Sequence, residues 1–222
     1  MKIDNAYKKL KKTANIKFSK LFENTPKDIK LNKGKVGQML EIYLGLPLTN
    51  KGIDFEDGEL KTTKYGRIKR ESSFQITMIR SCIDEMLKDN FIEFKKTILH
   101  KKTEKFILMT VNKDSKNPEE WFFEKCCYCD GSQGTVLYNQ LKKDYEKIIK
   151  QIKIDLNKKD NLIHTTNGQI IQIRTKGPGG EKDKPIYSNL LDRNVSKKGM
   201  AFYFKNKNFF EFLNNYNLED NN

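Results

Sequence analysis

The six residues Phe106 to Val111, FILMTV, place the strongest limit on what this chain can fold into. A strand that is apolar at successive positions has no polar face to offer water, so it belongs in the middle of a sheet. The chain also supplies helices to flank such a sheet. Val36, Met39, Leu40, Tyr43 and Leu44 recur at helical spacing, predicting an amphipathic helix over Lys35–Leu44 that Gly45 ends and Pro47 keeps from continuing. Leu137, Leu141, Tyr145, Ile148, Ile149 and Ile152 form a longer stripe, predicting a helix over Val136–Ile154.

Around these lie weaker signals. Residues 1–30 read as one or two helices with a lysine-rich outer face, broken by Pro26. Ser73–Met78 reads as a strand with Phe74, Ile76 and Met78 on one face, Cys82–Leu87 as helical, and Phe91–His100 as a strand. Asn117–Phe123 begins a turn or short helix. Asn167-Gly168 between β-formers predicts a hairpin in which Ile171 and Ile173 alternate with Gln172 and Arg174. Met200–Phe204 reads as a further strand, and Phe209, Phe210 and Leu213 as a last helix. The expectation is a single α/β domain over residues 1–222, a mixed sheet flanked by helices. One lobe covers about residues 1–115 and a second about 136–216.

Net charge points outward, to the partner. A surplus of +14 is best explained by a polyanion, and nucleic acid is the usual one. No apolar segment approaches membrane-spanning length and no leader follows the charged start, so a cytoplasmic protein without a membrane partner is expected. Cys82, Cys126, Cys127 and Cys129 cluster without a second ligand pair, which reads as reduced thiols rather than structural zinc.

The chemistry concentrates in Asp54-Phe55-Glu56-Asp57-Gly58-Glu59-Leu60-Lys61. Asp-Gly predicts a hairpin turn, and a strand through Glu59-Leu60-Lys61 puts Glu59 and Lys61 on one face with Leu60 on the other. Two carboxylates and an ammonium held in this way suit Mg²⁺ and a water that attacks phosphate. Asp54 and Glu59 would bind the ion, and Lys61 would orient the water. Glu41, on the border of the upstream helix's apolar stripe, can reach toward the same place. Gly-x-Ser-x-Gly, His-Glu-x-x-His and Gly-x-Gly-x-x-Gly motifs are all missing, and Gly177-Pro178-Gly179-Gly180-Glu181-Lys182 fails the P-loop spacing. With two histidines, a His-centred mechanism is not expected.

The run GKVGQMLEIYLG, then Asp54-Phe55 and Glu59-Leu60-Lys61-Thr62, resembles the MutH family of DNA endonucleases, which carry the PD-(D/E)xK core. Two later segments match in the same order. Gly168–Lys176 resembles the family's glycine-led strand ending in Arg-x-Lys, and Ala201–Phe209 its aromatic-Tyr-Leu-Lys-Lys segment. The resemblance implies two lobes around a DNA cleft. It also implies Mg²⁺-dependent, site-specific hydrolysis of double-stranded DNA at GATC or a related short site. The expected role is a type II restriction endonuclease, able to act as a homodimer on DNA beside a cognate DNA methyltransferase. A mismatch-repair nickase is the alternative, and a non-catalytic nucleic-acid-binding module a third. By the same resemblance Glu41, Asp54, Glu59, Lys61 and Lys102 are catalytic, and Asp54, Glu59 and Leu60 hold the metal. Arg174, Lys176 and Tyr203 contact DNA. Two departures stand out: the Asp54–Glu59 gap is short, which brings Asp57 into play, and Thr175 occupies the place of an expected proline.

Overall fold

Phe106 to Val111 are all buried inside one strand, with a neighbouring strand on either side. The computed structural model describes residues 1–30, 34–48, 53–65, 72–88, 92–176, 184–216 and 218. The elements begin with α1 (Ile3–Lys11), α2 (Phe18–Leu21), α3 (Lys35–Tyr43), β1 (Glu59–Tyr65), β2 (Ser73–Met78), α4 (Ile83–Leu87) and α5 (Ile98–Lys101). They continue with β3 (Lys105–Asn112), β4 (Phe122–Asp130), α6 (Val136–Leu156), β5 (Thr166–Asn167) and β6 (Ile171–Thr175). The chain closes with β7 (Tyr187–Ser188), β8 (Arg193–Asn194), β9 (Met200–Lys205) and α7 (Asn206–Asn215). The protein is therefore mixed α/β, but its strands form several sheets rather than the single mixed sheet expected. No helix among the described residues is long and apolar enough to cross a membrane.

Two compact units divide the chain, and they interleave in sequence: residues 1–72 with 105–129, and residues 73–104 with 130–216. The first unit is built on the sheet β1-β3-β4, in which β1 runs parallel to β3 from Glu59 opposite Phe106 to Tyr65 opposite Asn112. Ile3, Leu10, Leu40, Ile107, Met109 and Phe123 are among the residues of its core. Segment 14–18 covers backbone groups of β4 and the residue before it. The Asn15 N–H donates to the Phe123 carbonyl at 2.7 Å, and the Phe18 N–H to that of Trp121 at 2.8 Å.

The predicted Asp-Gly hairpin does not form. Residues 53–58 contain no strand, and the Phe55 N–H donates to the Gly58 carbonyl at 2.9 Å to roll them into a tight loop. The buried strand β3 is a longer partner for β1 than the few residues before the turn, and it takes β1 in parallel. Residues 94–101 also depart from expectation, being helical where a strand was predicted. Thr97 decides this: its hydroxyl donates to the Phe94 carbonyl at 2.7 Å and accepts the His100 N–H at 3.1 Å, capping α5. Strand β4 occupies the cysteine segment, read only as a turn or short helix and its sequel. Cys127 and Cys129 are buried on it, and no disulfide joins any of the four cysteines.

The second unit carries the antiparallel sheet β2-β9-β6-β5. The Asn167-Gly168 hairpin forms, with β5 only two residues long. On β2, Phe74 and Ile76 are buried as predicted, but a register shift between Gln75 and Thr77 breaks the alternation and leaves Met78 partly exposed. The glycine-rich segment 177–183 and the basic residues Arg67, Lys69 and Arg70 lie outside the described residues.

Gly58 is held where no side chain fits. A Cβ there would lie 2.5 Å from the Ile3 side chain and 2.7 Å from the Lys105 carbonyl oxygen. The carbonyl belongs to the β3 backbone and cannot swing aside. Gly58→Ala is therefore expected to cost about 1–3 kcal/mol and lower the melting temperature by roughly 3–10 °C in a thermal denaturation experiment.

Candidate active site and recognition strands

Helix α3 ends in a way that fixes Glu41. Gly45 adopts φ 73°, and the Gly45 N–H donates to the Ile42 carbonyl at 2.8 Å. The Leu46 N–H donates to the Glu41 carbonyl, also at 2.8 Å. This pair of bonds is the Schellman stop that a glycine makes cheap. Val36, Met39 and Leu40 bury the inner face, and Glu41 is left half-buried at its border.

The loop before β1 delivers Asp54. Its Oδ2 accepts the Leu60 N–H at 2.8 Å. That amide is therefore satisfied by a side chain rather than by the ladder with β3, and among the described residues β1 is the edge strand of its sheet. Glu59 and Lys61 share a face of β1 as predicted, with Lys61 Nζ 2.5 Å from Glu59 Oε2. The Glu59 side chain is only 2% exposed, so the ammonium compensates a carboxylate that water barely reaches.

Asp57 does different work. Its Oδ1 accepts the Ile3 N–H at 2.8 Å, satisfying a donor in the first turn of α1 that the helix itself leaves open. The Glu56 N–H donates to the Met1 carbonyl at 3.1 Å, so the same loop is stitched twice to the start of α1.

Electrostatics join Glu41 to this group. Burial raises the Glu41 carboxyl above its ordinary 4.5, the charges of Asp54 and Glu59 raise it further, and Lys61 partly offsets them. The cluster thus holds more negative charge than Lys61 alone neutralises. Among the described residues, no three His, Cys, Asp or Glu side chains group closely enough to hold a metal ion between them. A cation here would rest on two carboxylates, backbone oxygen and water. That is the oxygen-rich, partly hydrated set that suits Mg²⁺.

The remaining predicted residues lie in the second unit. Lys102 is the C-cap of α5, its N–H donating to the Ile98 carbonyl at 3.1 Å. Arg174 and Tyr203 are together, the guanidinium carbon 4.7 Å from the ring centroid. Burial raises the Tyr203 phenol above its ordinary value, and Arg174 pulls it back. Lys176 Nζ lies 3.8 Å from the Met78 sulfur.

Asp144 was not anticipated, although its signal was present: a carboxylate within the apolar stripe of α6, between Leu141 and Ile148. It is buried, and it accepts the N–H groups of Gln169 at 2.8 Å, Ile170 at 2.7 Å and Ile171 at 3.1 Å, with Gln140 Nε2 at 2.9 Å. Gly168 leads this strand because a Cβ there would meet the Asp144 carboxyl carbon at 2.4 Å. The strand that presents Arg174 is thereby pinned to the long helix.

Comparison of the sequence with protein-family models and with curated proteins returns no match to either.

The sign of the Glu41 shift gives a stability test. A carboxyl whose folded pKa is raised holds its proton more tightly when folded, so stability falls as pH climbs from 4.5 through the folded value. Glu41→Gln removes that loss. Without divalent cations the variant is expected to melt higher than the native protein at pH 7, with the difference vanishing below pH 4.5.

Proposed function

We propose that this protein is a Mg²⁺-dependent endonuclease that hydrolyses double-stranded DNA, built on a PD-(D/E)xK core and acting as a type II restriction enzyme. The observation that carries this reading is the grouping of Asp54, Glu59 and Lys61 along β1, with Glu41 within reach of their charges. The net charge of +14 supports a polyanionic substrate.

Asp54 and Glu59 would hold the ion. By the family resemblance, the Leu60 carbonyl would be the backbone oxygen on the ion. Mg²⁺, when bound, lowers the pKa of a coordinated water and draws charge from the phosphate. The chain's own residues do the rest. Lys61 has three ammonium donors and gives one to Glu59, leaving the others for the attacking water and a phosphate oxygen. Glu41, with its raised proton affinity, accepts a hydrogen from that water. The water oxygen bonds to phosphorus as the bond from phosphorus to the leaving sugar oxygen breaks; Glu41 takes the proton of the attacking water, and the leaving oxygen takes a proton from solvent water to become a hydroxyl. By the family resemblance Lys102, on the second unit, would be a further catalytic lysine. Arg174, Lys176 and Tyr203 contact the duplex, with GATC the leading target and a methyltransferase the expected genetic partner. Such an enzyme works in the cytoplasm, where two copies on one site would cut both strands.

Supercoiled plasmid incubated with and without Mg²⁺ tests the reading. Mg²⁺-dependent linear product is expected, and nicked circles alone would instead favour a mismatch-repair type nickase. Lys61→Ala is expected to lower the rate by about 100-fold or more. Because that change strips the partner from a buried carboxylate, it is also expected to cost about 3–5 kcal/mol, so cleavage is measured well below each variant's melting point. Binding without any cleavage, or cleavage indifferent to Lys61→Ala, would leave only a nucleic-acid-binding module.

Asp54 and Asp57 separate cleanly. Asp54→Ala is expected to abolish cleavage. Asp57→Ala is expected to keep it while costing about 1 kcal/mol in a melting experiment, the usual loss on removing a helix cap.

A further inference from the structure

The antiparallel sheet of the second unit carries a row of polar side chains of which the proposal above uses only Tyr203. Gln75 on β2 stands opposite Tyr203 on β9, and Tyr203 stands opposite Gln172 on β6. Asn167 on β5 extends the row by standing opposite Gln172. Residues directly opposite one another in antiparallel strands share a face, so the row crosses all four strands on one side. Ile171, Ile173, Phe202 and Phe204 are the alternate residues of β6 and β9, and all are buried.

The centre of the row is packed and its flanks are not committed. Tyr203 is 8% exposed, and Arg174 lies across its ring. Arg174 stands opposite Ala201, whose small side chain leaves the guanidinium room to do so. Gln75 and Gln172 are half-buried on either side. Among the described residues, neither side-chain amide has a hydrogen-bond partner. Being half-buried rather than sealed, each amide keeps contact with water and can exchange it for the polar edge of a ligand.

The ligand chemistry follows from the amide itself. It presents one donor and one acceptor side by side, the complement of the N7 acceptor and N6 donor on the major-groove edge of adenine. Gln75 and Gln172 are two strand spacings apart, about 10 Å, and the major groove is about 12 Å wide. Both can therefore address one groove. Arg174 in the neighbouring row adds positive charge beside them.

We infer that Gln75 and Gln172 determine the sequence specificity of this protein by reading adenine edges of duplex DNA, with Tyr203 as the fixed post between them. This rests on the reading of the protein as a DNA endonuclease. The test uses a pool of duplexes with a randomised central segment, cut in Mg²⁺ and, separately, selected for binding in Ca²⁺. The native protein is expected to recover sites with adenine at two or more positions. Gln172→Glu and Gln75→Glu are each expected to move the preference at one such position toward cytosine, whose N4 amine a carboxylate accepts, by roughly tenfold or more. Gln172→Met and Gln75→Met are expected to lose the adenine preference there without gaining another. A gained preference cannot arise from misfolding. Sites without adenine, or unchanged sites from all four variants, would overturn the inference while leaving any observed cleavage intact. A binding preference that shifts as described in a protein that never cuts would uphold the inference and defeat the endonuclease reading.

Discussion

Parallel pairing of β1 with β3 is the constraint from which the rest of the structure follows. Two parallel neighbours cannot be joined by a short turn, so the chain must leave the sheet after Tyr65 and return at Lys105. The excursion is where β2, α4 and α5 are made, and these belong to the second unit. One hydrogen-bonding choice thus explains why the units interleave in sequence. It also explains why the acidic loop sits where it does: with β3 occupying one side of β1, the other side is left to Asp54.

Most of the regular elements were legible because their signals were long. The stripes of α3 and α6 and the apolar run of β3 each extend over two or more turns or six residues, and no competing pattern fits them. Short signals failed where a distant partner outbid a local one. Asp57-Gly58 is a good hairpin turn, but the buried β3 offered β1 a longer ladder than the residues before the turn could. Phe91–His100 looked strand-like on composition, yet one threonine at an N-cap position made its second half helical.

The candidate site divides in the same way. That Glu59 and Lys61 share a face is a property of any strand and could be read directly. The different contacts of Asp54 and Asp57 could not, because both are acidic and only three residues apart. What separates them is the long-range contact of Asp57 with the start of α1, more than fifty residues away in sequence. Asp144 had a readable signal, a charge inside an apolar stripe, but its partners are backbone amides of a turn that no periodicity predicts.

The bond from Asp54 to the Leu60 amide has a consequence beyond chemistry. An edge strand with vacant N–H groups is a template on which another chain can add its own strand. Here the vacancy at Leu60 is closed by a carboxylate, and the charges of Glu59 and Lys61 stand beside it. The residues that would gather a cation are the same ones that occupy this strand's open side, so the limit on the sheet and the proposed reactivity rest on one short stretch of chain.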